Sequence, residues 1–306
     1  MSEIAIREPL IARAAPRGAA WRLRDLRAYA LLAPSLVFLA TFTYWPVVQV
    51  LWNSVHEQDK RAENFVGLKN YAAIFADASF RRACVNNLIY AAGTVMPSLV
   101  LALAFALALE RSNRLNTVLR SVLFLPVLVP LVAAASIFLF IFLPGVGLLD
   151  HYLARLGIAG ANWIGDPDIA LASIMGLTVW KNAGYYMLFF LAGLQAIPLE
   201  SYEAAILDGA TPWQRLRHVT LPALKPTVAF VAVIALINVV TQVDHIFVLT
   251  KGGPSDSTNL LLFYVYQQAV ERYDIGKAAA ATVVSLVVLL AISGLSLRRA
   301  DREADT

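Results

Sequence analysis

The chain has 306 residues, of which 59% are hydrophobic and 15% charged, and its mean hydropathy is +0.64. That balance excludes a water-soluble globular fold and points to an all-α integral membrane protein. The formal net charge of +4 is carried by basic residues scattered along apolar flanks without interleaved aromatics, which argues for a topology signal and against nucleic-acid binding.

Residues 1–20, rich in Ala and Arg with Pro16 and Gly18, predict a flexible start to an N-terminal tail over 1–27. Residues 21–27 are expected at the membrane interface. Uncharged runs bounded by charged or His side chains then cover 28–55, 83–109, 121–149, 169–199 (interrupted only by Lys181), 226–243 and 278–297. Each is long enough, or nearly so, to cross a hydrocarbon core of about 30 Å as a helix. They predict six spans at 28–53, 83–109, 121–144, 169–197, 226–249 and 278–297, the fifth continuing through Asp244 and His245 to about Leu249. The first follows six Arg, is too long for a signal-peptide core and lacks a clear small-x-small site, so it reads as an uncleaved signal anchor.

Between the spans the punctuation is local. In 54–82, Gly67 predicts a turn before a short amphipathic helix with Tyr71, Ile74 and Phe75 as its apolar face. Cys84 is the only cysteine, which excludes an internal disulfide and a Cys-rich metal site. The segment 145–168 opens with Gly145 and Gly147 and closes on Trp163-Ile164-Gly165-Asp166-Pro167, an aromatic, turn-rich cap suited to the outer interface. After the polar stretch 251–258, residues 260–271 predict a surface helix. His56, His151, His218 and His245 show no metal-pair spacing, so no metal site is expected. With the N-terminus inside, the inner segments hold 15 Lys/Arg in 75 residues and the outer ones 9 in 81. This places both termini, including the tail 299–306, and the loop 198–225 in the cytoplasm.

The loop 198–225 is polar and helix-forming in an otherwise apolar chain. Pro198 starts a helix built on Glu200, Glu203, Ala204, Ala205 and Leu207, which Gly209 should stop in the left-handed region. Thr211 as N-cap, Pro212 after it and Gln214 three residues on form a capping box for a second helix. That helix should end before Leu221-Pro222, because the residue before proline is pushed out of the α region. Ala204, Ala205 and Gly209 leave room for another protein's surface, and Glu203 and Asp208 offer it charge. From physics alone, a hairpin lying on lipid headgroups is an equal alternative.

The spacing from Glu203-Ala204-Ala205 through Gly209 and Val219 to Leu221-Pro222 resembles the cytoplasmic docking loop of ABC-importer permeases, which usually have Ile at the Val219 position. The likeness extends over roughly 29–297. Gly67, Leu68, Asn70 and Tyr71 are similar to the family's outer pattern, as are Phe80, Ala83, Asn86, Leu88 and Tyr90, with Asn87 where relatives usually have Thr. So are Asp244, Ile246, Val248, Leu249, Thr250, Gly252, Gly253, Pro254 and Thr258, and Gly276 with the alanines at 278–281. This resemblance implies the type I importer fold of the maltose-like and glycerol-3-phosphate-like branch, a five-helix core preceded by an extra span. It also implies its partners: a second homologous permease in a heterodimer, a dimeric ABC ATPase, and a periplasmic or lipid-anchored solute-binding protein. The setting implied is a bacterial inner membrane.

No Gly-x4-Gly-Lys-Ser/Thr sequence is present, so ATP-Mg would be used by a partner in trans and no cofactor is expected on this chain. Polar groups inside spans mark a solute path, because burying them in lipid is costly. The candidates are Tyr185, Asn182, Asn238 and Gln242, with Asn238 and either Thr241 or Gln242 expected on one helical face. Aromatic rings beside amides suit a sugar or polyol, and by resemblance Tyr185 stands where a maltose-type relative has a sugar-contacting tyrosine. Lys181 is expected to form a structural ion pair with Asp244. A secondary active transporter is the alternative; it would need coupling carboxylates or broken helices, which only Asp244 approaches. A membrane enzyme would need a His/Asp/Glu cluster, and none is found.

Overall fold

The computed structural model describes residues 20–59 and 62–304; of the expected tail over 1–27, residues 1–19 lie outside them and 20–27 are helical. The chain divides into two units, up to Gln49 and from Val50 onward. The first holds α1 (Ala20–Leu39), a π turn (Ala40–Tyr44) and the start of α2 (Trp45–Ser54). The apolar stretch Leu31–Ser54, which ends in the second unit, is 24 residues long, enough to cross a hydrocarbon core.

The second unit begins with an antiparallel hairpin, β1 (His56–Asp59) and β2 (Ala62–Phe65), which the sequence did not announce. Gly67 then turns at φ +59 into α3 (Lys69–Ala76). Ile74 and Tyr71 face the protein as expected, but Phe75 is 55% exposed, so the apolar face is narrower than predicted. Asn70 holds this corner, its Nδ2 donating to the carbonyls of Ser54 at 3.0 Å and His56 at 2.9 Å. Gly276 is needed beside it, since a Cβ there would meet Asn70 Nδ2 and the His56 carbonyl.

The body is built from α4 (Ala78–Leu109), α5 (Arg114–Leu128), α6 (Leu131–Ile141), α8 (Ala170–Gln195), α12 (Lys225–Thr241), α13 (Asp244–Leu249) and α15 (Ile275–Ala304). Among the described residues, three helices are long and apolar enough to cross a membrane: Leu31–Ser54, α4, and α12 with α13. The bent pair α5 and α6 would make a fourth span. The predicted single span 121–144 is therefore two helices with axes 98° apart, because Pro130 cannot continue the hydrogen-bond ladder of α5. The predicted fifth span likewise breaks, at Gln242-Val243. α4 and α8 form the centre, with Leu99, Ala102, Met187, Phe190 and Val231 in one core cluster and Tyr90, Ala135, Ile174, Leu177 and Ile246 in the next. Residues 260–271 are not a surface helix: α14 (Leu261–Tyr266) buries Leu261 and Tyr264 against Phe80, Ala83 and Ala280.

The cap after α6 is organised by one carboxylate. Asp150, on α7 (Leu148–Arg155), accepts from Gly145 N at 2.6 Å and from Trp163 Nε1 at 2.6 Å. These donors hold its carboxyl below the usual carboxylate range, the Gly145 bond contributing most. A depressed folded pKa contributes stability that is full above the unfolded value and is lost as pH falls through the folded one. The cap should therefore stay protected in hydrogen exchange, corrected for intrinsic rates, from neutral pH down to about pH 4 and loosen only below. Asp150→Asn, which turns an amide donor toward these N–H groups, should lose that protection at every pH. Wild-type protection in the variant would show that the carboxylate does not organise the cap.

Candidate functional site

α8 places Thr178, Lys181, Asn182 and Tyr186 toward the centre of the second unit, all buried. Asn182 Nδ2 donates to the Thr178 carbonyl at 3.0 Å, and Asn238 Nδ2 on α12 donates to the Tyr186 hydroxyl at 3.0 Å. With Thr94 and Ser98 of α4 these residues line a cavity of about 10 Å³, room for about one water. On its other side, the Tyr90 hydroxyl lies 2.7 Å from Thr178 Oγ1 and 2.9 Å from His245 Nε2. A polar seam thus crosses α4, α8, α12 and α13, and His245, fully buried, leaves its Nδ1 without a partner.

Of the predicted path residues, Asn182 and Asn238 come together here. Tyr185 does not join the seam: half-buried, it tilts on Tyr186 with centroids 5.5 Å apart and stands edge-on to Phe189 at 5.1 Å. Gln242 is not on the face of Asn238, because α12 ends at Thr241 and Gln242 is extended (φ −93, ψ 114). Lys181 makes no pair with Asp244, which is exposed; its Nζ donates to the carbonyls of Pro126, Val127 and Val129. Tyr90, Thr94, Ser98 and His245 were not singled out for the site. The polar positions 86, 90, 94 and 98 recur every fourth residue, and that stripe was the available signal.

The second constellation is the loop between α8 and α12. α9 (Leu199–Leu207) ends where Gly209 takes φ +78, and Ala210 N donates back to the Ala205 carbonyl at 2.9 Å. α10 (Pro212–Arg215) opens with the full capping box: Gln214 N donates to Thr211 Oγ1 at 3.3 Å and Thr211 N to Gln214 Oε1 at 2.7 Å. The predicted stop before Leu221-Pro222 does not occur. Leu221 is helical (φ −63, ψ −42) after a π turn at Leu216–Thr220 and starts α11 (Leu221–Ala223). The wider turn, closed by Leu221 N donating to the Leu216 carbonyl, carries the helix into the proline. Glu203 and Ala204 are exposed, and so is Leu207, at 87%. Between the two helices Ala205, Asp208, Gly209, Gln214, Arg215 and His218 line a groove of about 390 Å³. The Tyr202 hydroxyl, 3.0 Å from Thr220 Oγ1, braces its back.

Residues 98–303 match the family described as binding-protein-dependent transport system inner membrane component. A probable ABC transporter permease protein of Bacillus subtilis, YurN, is 33% identical, covering 88% of this chain and 94% of the relative. An sn-glycerol-3-phosphate transport system permease protein, UgpA of Agrobacterium fabrum, is 32% identical over 88% and 93%. A trehalose/maltose transport system permease protein, MalF of Thermococcus litoralis, is 32% identical over 90% and 94%. Among solved structures, a chain of a bacterial ABC transporter involved in alginate import superimposes with a TM-score of 0.81. It is 23% identical and covers 92% of this chain and 98% of its own.

Proposed function

This chain belongs to the inner membrane components of binding-protein-dependent transport systems, and we propose how, as the permease subunit of an ABC importer for sugar or glycerol-phosphate-type solutes, it couples and translocates. It pairs with a second, homologous permease. A dimeric ATPase grips the loop 198–225 from the cytoplasm, and an external binding protein delivers solute to the segments 54–82, 145–168 and 250–277. The observation that carries this reading is the exposed, doubly capped pair α9 and α10 around its groove. Two short helices fixed by a left-handed glycine and a capping box transmit a push that a flexible loop would dissipate. Closure of the ATPase draws these loops together, and the spans rock between inward- and outward-facing arrangements. Relatives of similar length act on sn-glycerol-3-phosphate and on trehalose/maltose, which fits a path lined by amides and aromatic rings.

We infer six spans, with α8 among them. Lys181, Asn182 and the tyrosines lower its apolarity, and the protein around it compensates. Both termini then lie in the cytoplasm. A reporter fused after Arg302 should read as cytoplasmic and one inserted near Gly160 as external; an external C-terminus would overturn the topology.

Tyr185 is proposed to line the path, since its half-buried ring lies beside the seam without being locked into it. Tyr185→Ala should impair solute uptake while assembly and basal ATP hydrolysis persist. Unchanged uptake would make it a packing residue.

Gly209→Asp adds a Cβ at φ +78, where L side chains are strained, and a like charge beside Asp208. Glu203→Lys reverses the exposed charge. Both should abolish transport by releasing or uncoupling the ATPase while the spans insert normally. The check is a pull-down with the ATPase together with solute-stimulated hydrolysis in proteoliposomes. Wild-type association and coupling in both variants would mean that the ATPase docks elsewhere.

A further inference from the structure

The bend between α5 and α6 leaves backbone groups that something must satisfy. In an unbroken helix the N–H of residue 130 would reach the carbonyl of Pro126; Pro130 has no N–H. Val129 N approaches that carbonyl at 3.3 Å, and the carbonyls of the last turn of α5 carry the negative end of its dipole. Lys181 is the cation at that end. Its Nζ lies 3.1 Å from the Pro126 carbonyl and 3.4 Å from that of Val127, and also meets that of Val129. An ammonium has three N–H donors, and three carbonyls take them. None is left for a solute phosphate or carboxylate.

We propose that Lys181 is a positioning residue for transport, which fixes the bend of the third span and through it the outer wall of the solute path. Three neighbouring features support this role. One turn along the same face of α8, Gly184 abuts the Leu123 carbonyl so closely that any Cβ would collide with it, so α8 grips α5 on both sides of Pro126. One turn in the other direction, Thr178 meets Tyr90, which holds His245 just beyond the second break. Finally, the outer half-helices of the two broken spans share a core cluster, with Ala135 of α6 beside Ile246 and Leu249 of α13. The angle at Val129-Pro130 therefore sets where both outer halves stand relative to Asn182 and Asn238. A charged donor is required because a neutral side chain of the same length would take all three N–H groups away from the carbonyls of the bend.

The proposal rests on the permease reading, so one of its two tests is independent of solute. In the assembled importer, in a Cys84→Ala background, spin labels at Val118→Cys and Ile137→Cys report the distance across the bend. It should be narrowly distributed with Lys181 and with Lys181→Arg, and broadened or shifted with Lys181→Met, which keeps length but removes charge and donors. The second test is uptake of sn-glycerol-3-phosphate and of maltose by the same proteins in liposomes. Lys181→Met should lower kcat by about tenfold or more with KM changed less than about twofold, and Lys181→Arg should recover most of the rate. An unchanged distance distribution in Lys181→Met overturns the proposal. So does a raised KM at constant kcat, which would make Lys181 a solute ligand. If the wild type carries neither probe, the assigned solute class fails and the label distances alone decide the role of Lys181.

Discussion

Inside a bilayer a carbonyl or N–H released from a helix has no water to turn to, so each interruption of a spanning helix must be answered by neighbouring protein. This chain interrupts apolar helices at Val129-Pro130 and at Gln242-Val243, and the central α8 meets freed carbonyls at the first and braces a side chain beside the second. Lys181 meets the carbonyls of the first break. Thr178, through Tyr90, holds His245 beside the second. The same device recurs at the end of α4, where Arg120 Nε donates to the Leu109 carbonyl at 3.0 Å.

This constraint explains why α8, the most enclosed long helix among the described residues, carries polar groups along its middle. A helix that faced lipid could not carry Lys181, Asn182, Tyr185 and Tyr186 at a tolerable cost. One enclosed by α4, α5 and α12 can, because Lys181 and Tyr186 find partners across helix interfaces and Asn182 bonds within its own helix. Interhelical hydrogen bonds of this kind contribute about 0.6 to 2 kcal/mol each. Their larger effect is on register: Asn238 with Tyr186, and Asn182 with its own Thr178 carbonyl, fix which rings and amides reach the small cavity between them.

Much of this was legible wherever the signal was local. Gly67 and Gly209 take the left-handed backbone that their turns require, and Thr211 with Gln214 forms the capping box that their spacing announces. The resemblance motifs acquire physical reasons as well: Asn70 ties α3 to the hairpin, and Asn86 Nδ2 donates to the carbonyls of Asp256 at 2.7 Å and Asn259 at 3.0 Å. The breaks were not legible, because an apolar run reads the same whether its helix is straight or bent by 98°. Gln242 was misplaced for that reason. Leu221-Pro222 was misread for the opposite one, since a π turn absorbs the proline that a local rule treats as a stop. Lys181 was given a carboxylate partner because sequence shows charges and hides freed carbonyls, which are the partners it has.

The breaks also bear on how energy reaches the transport cycle. Broken helices at mid-membrane are what a secondary transporter uses to bind a coupling ion, with unwound carbonyls as ligands and carboxylates nearby. Here the carbonyls of the first break already hold a covalently tethered ammonium, and Asp244, the acidic residue beside the second, is exposed. A sodium ion would have to displace Lys181, and a proton has no buried carboxylate at either break to ride on. The position an ion-coupled carrier would keep exchangeable is occupied by Lys181, which accords with the proposed entry of work through the exposed pair α9 and α10. That is the division of labour we propose: the broken helices shape a path, and a separate ATPase at the loop 198–225 drives it.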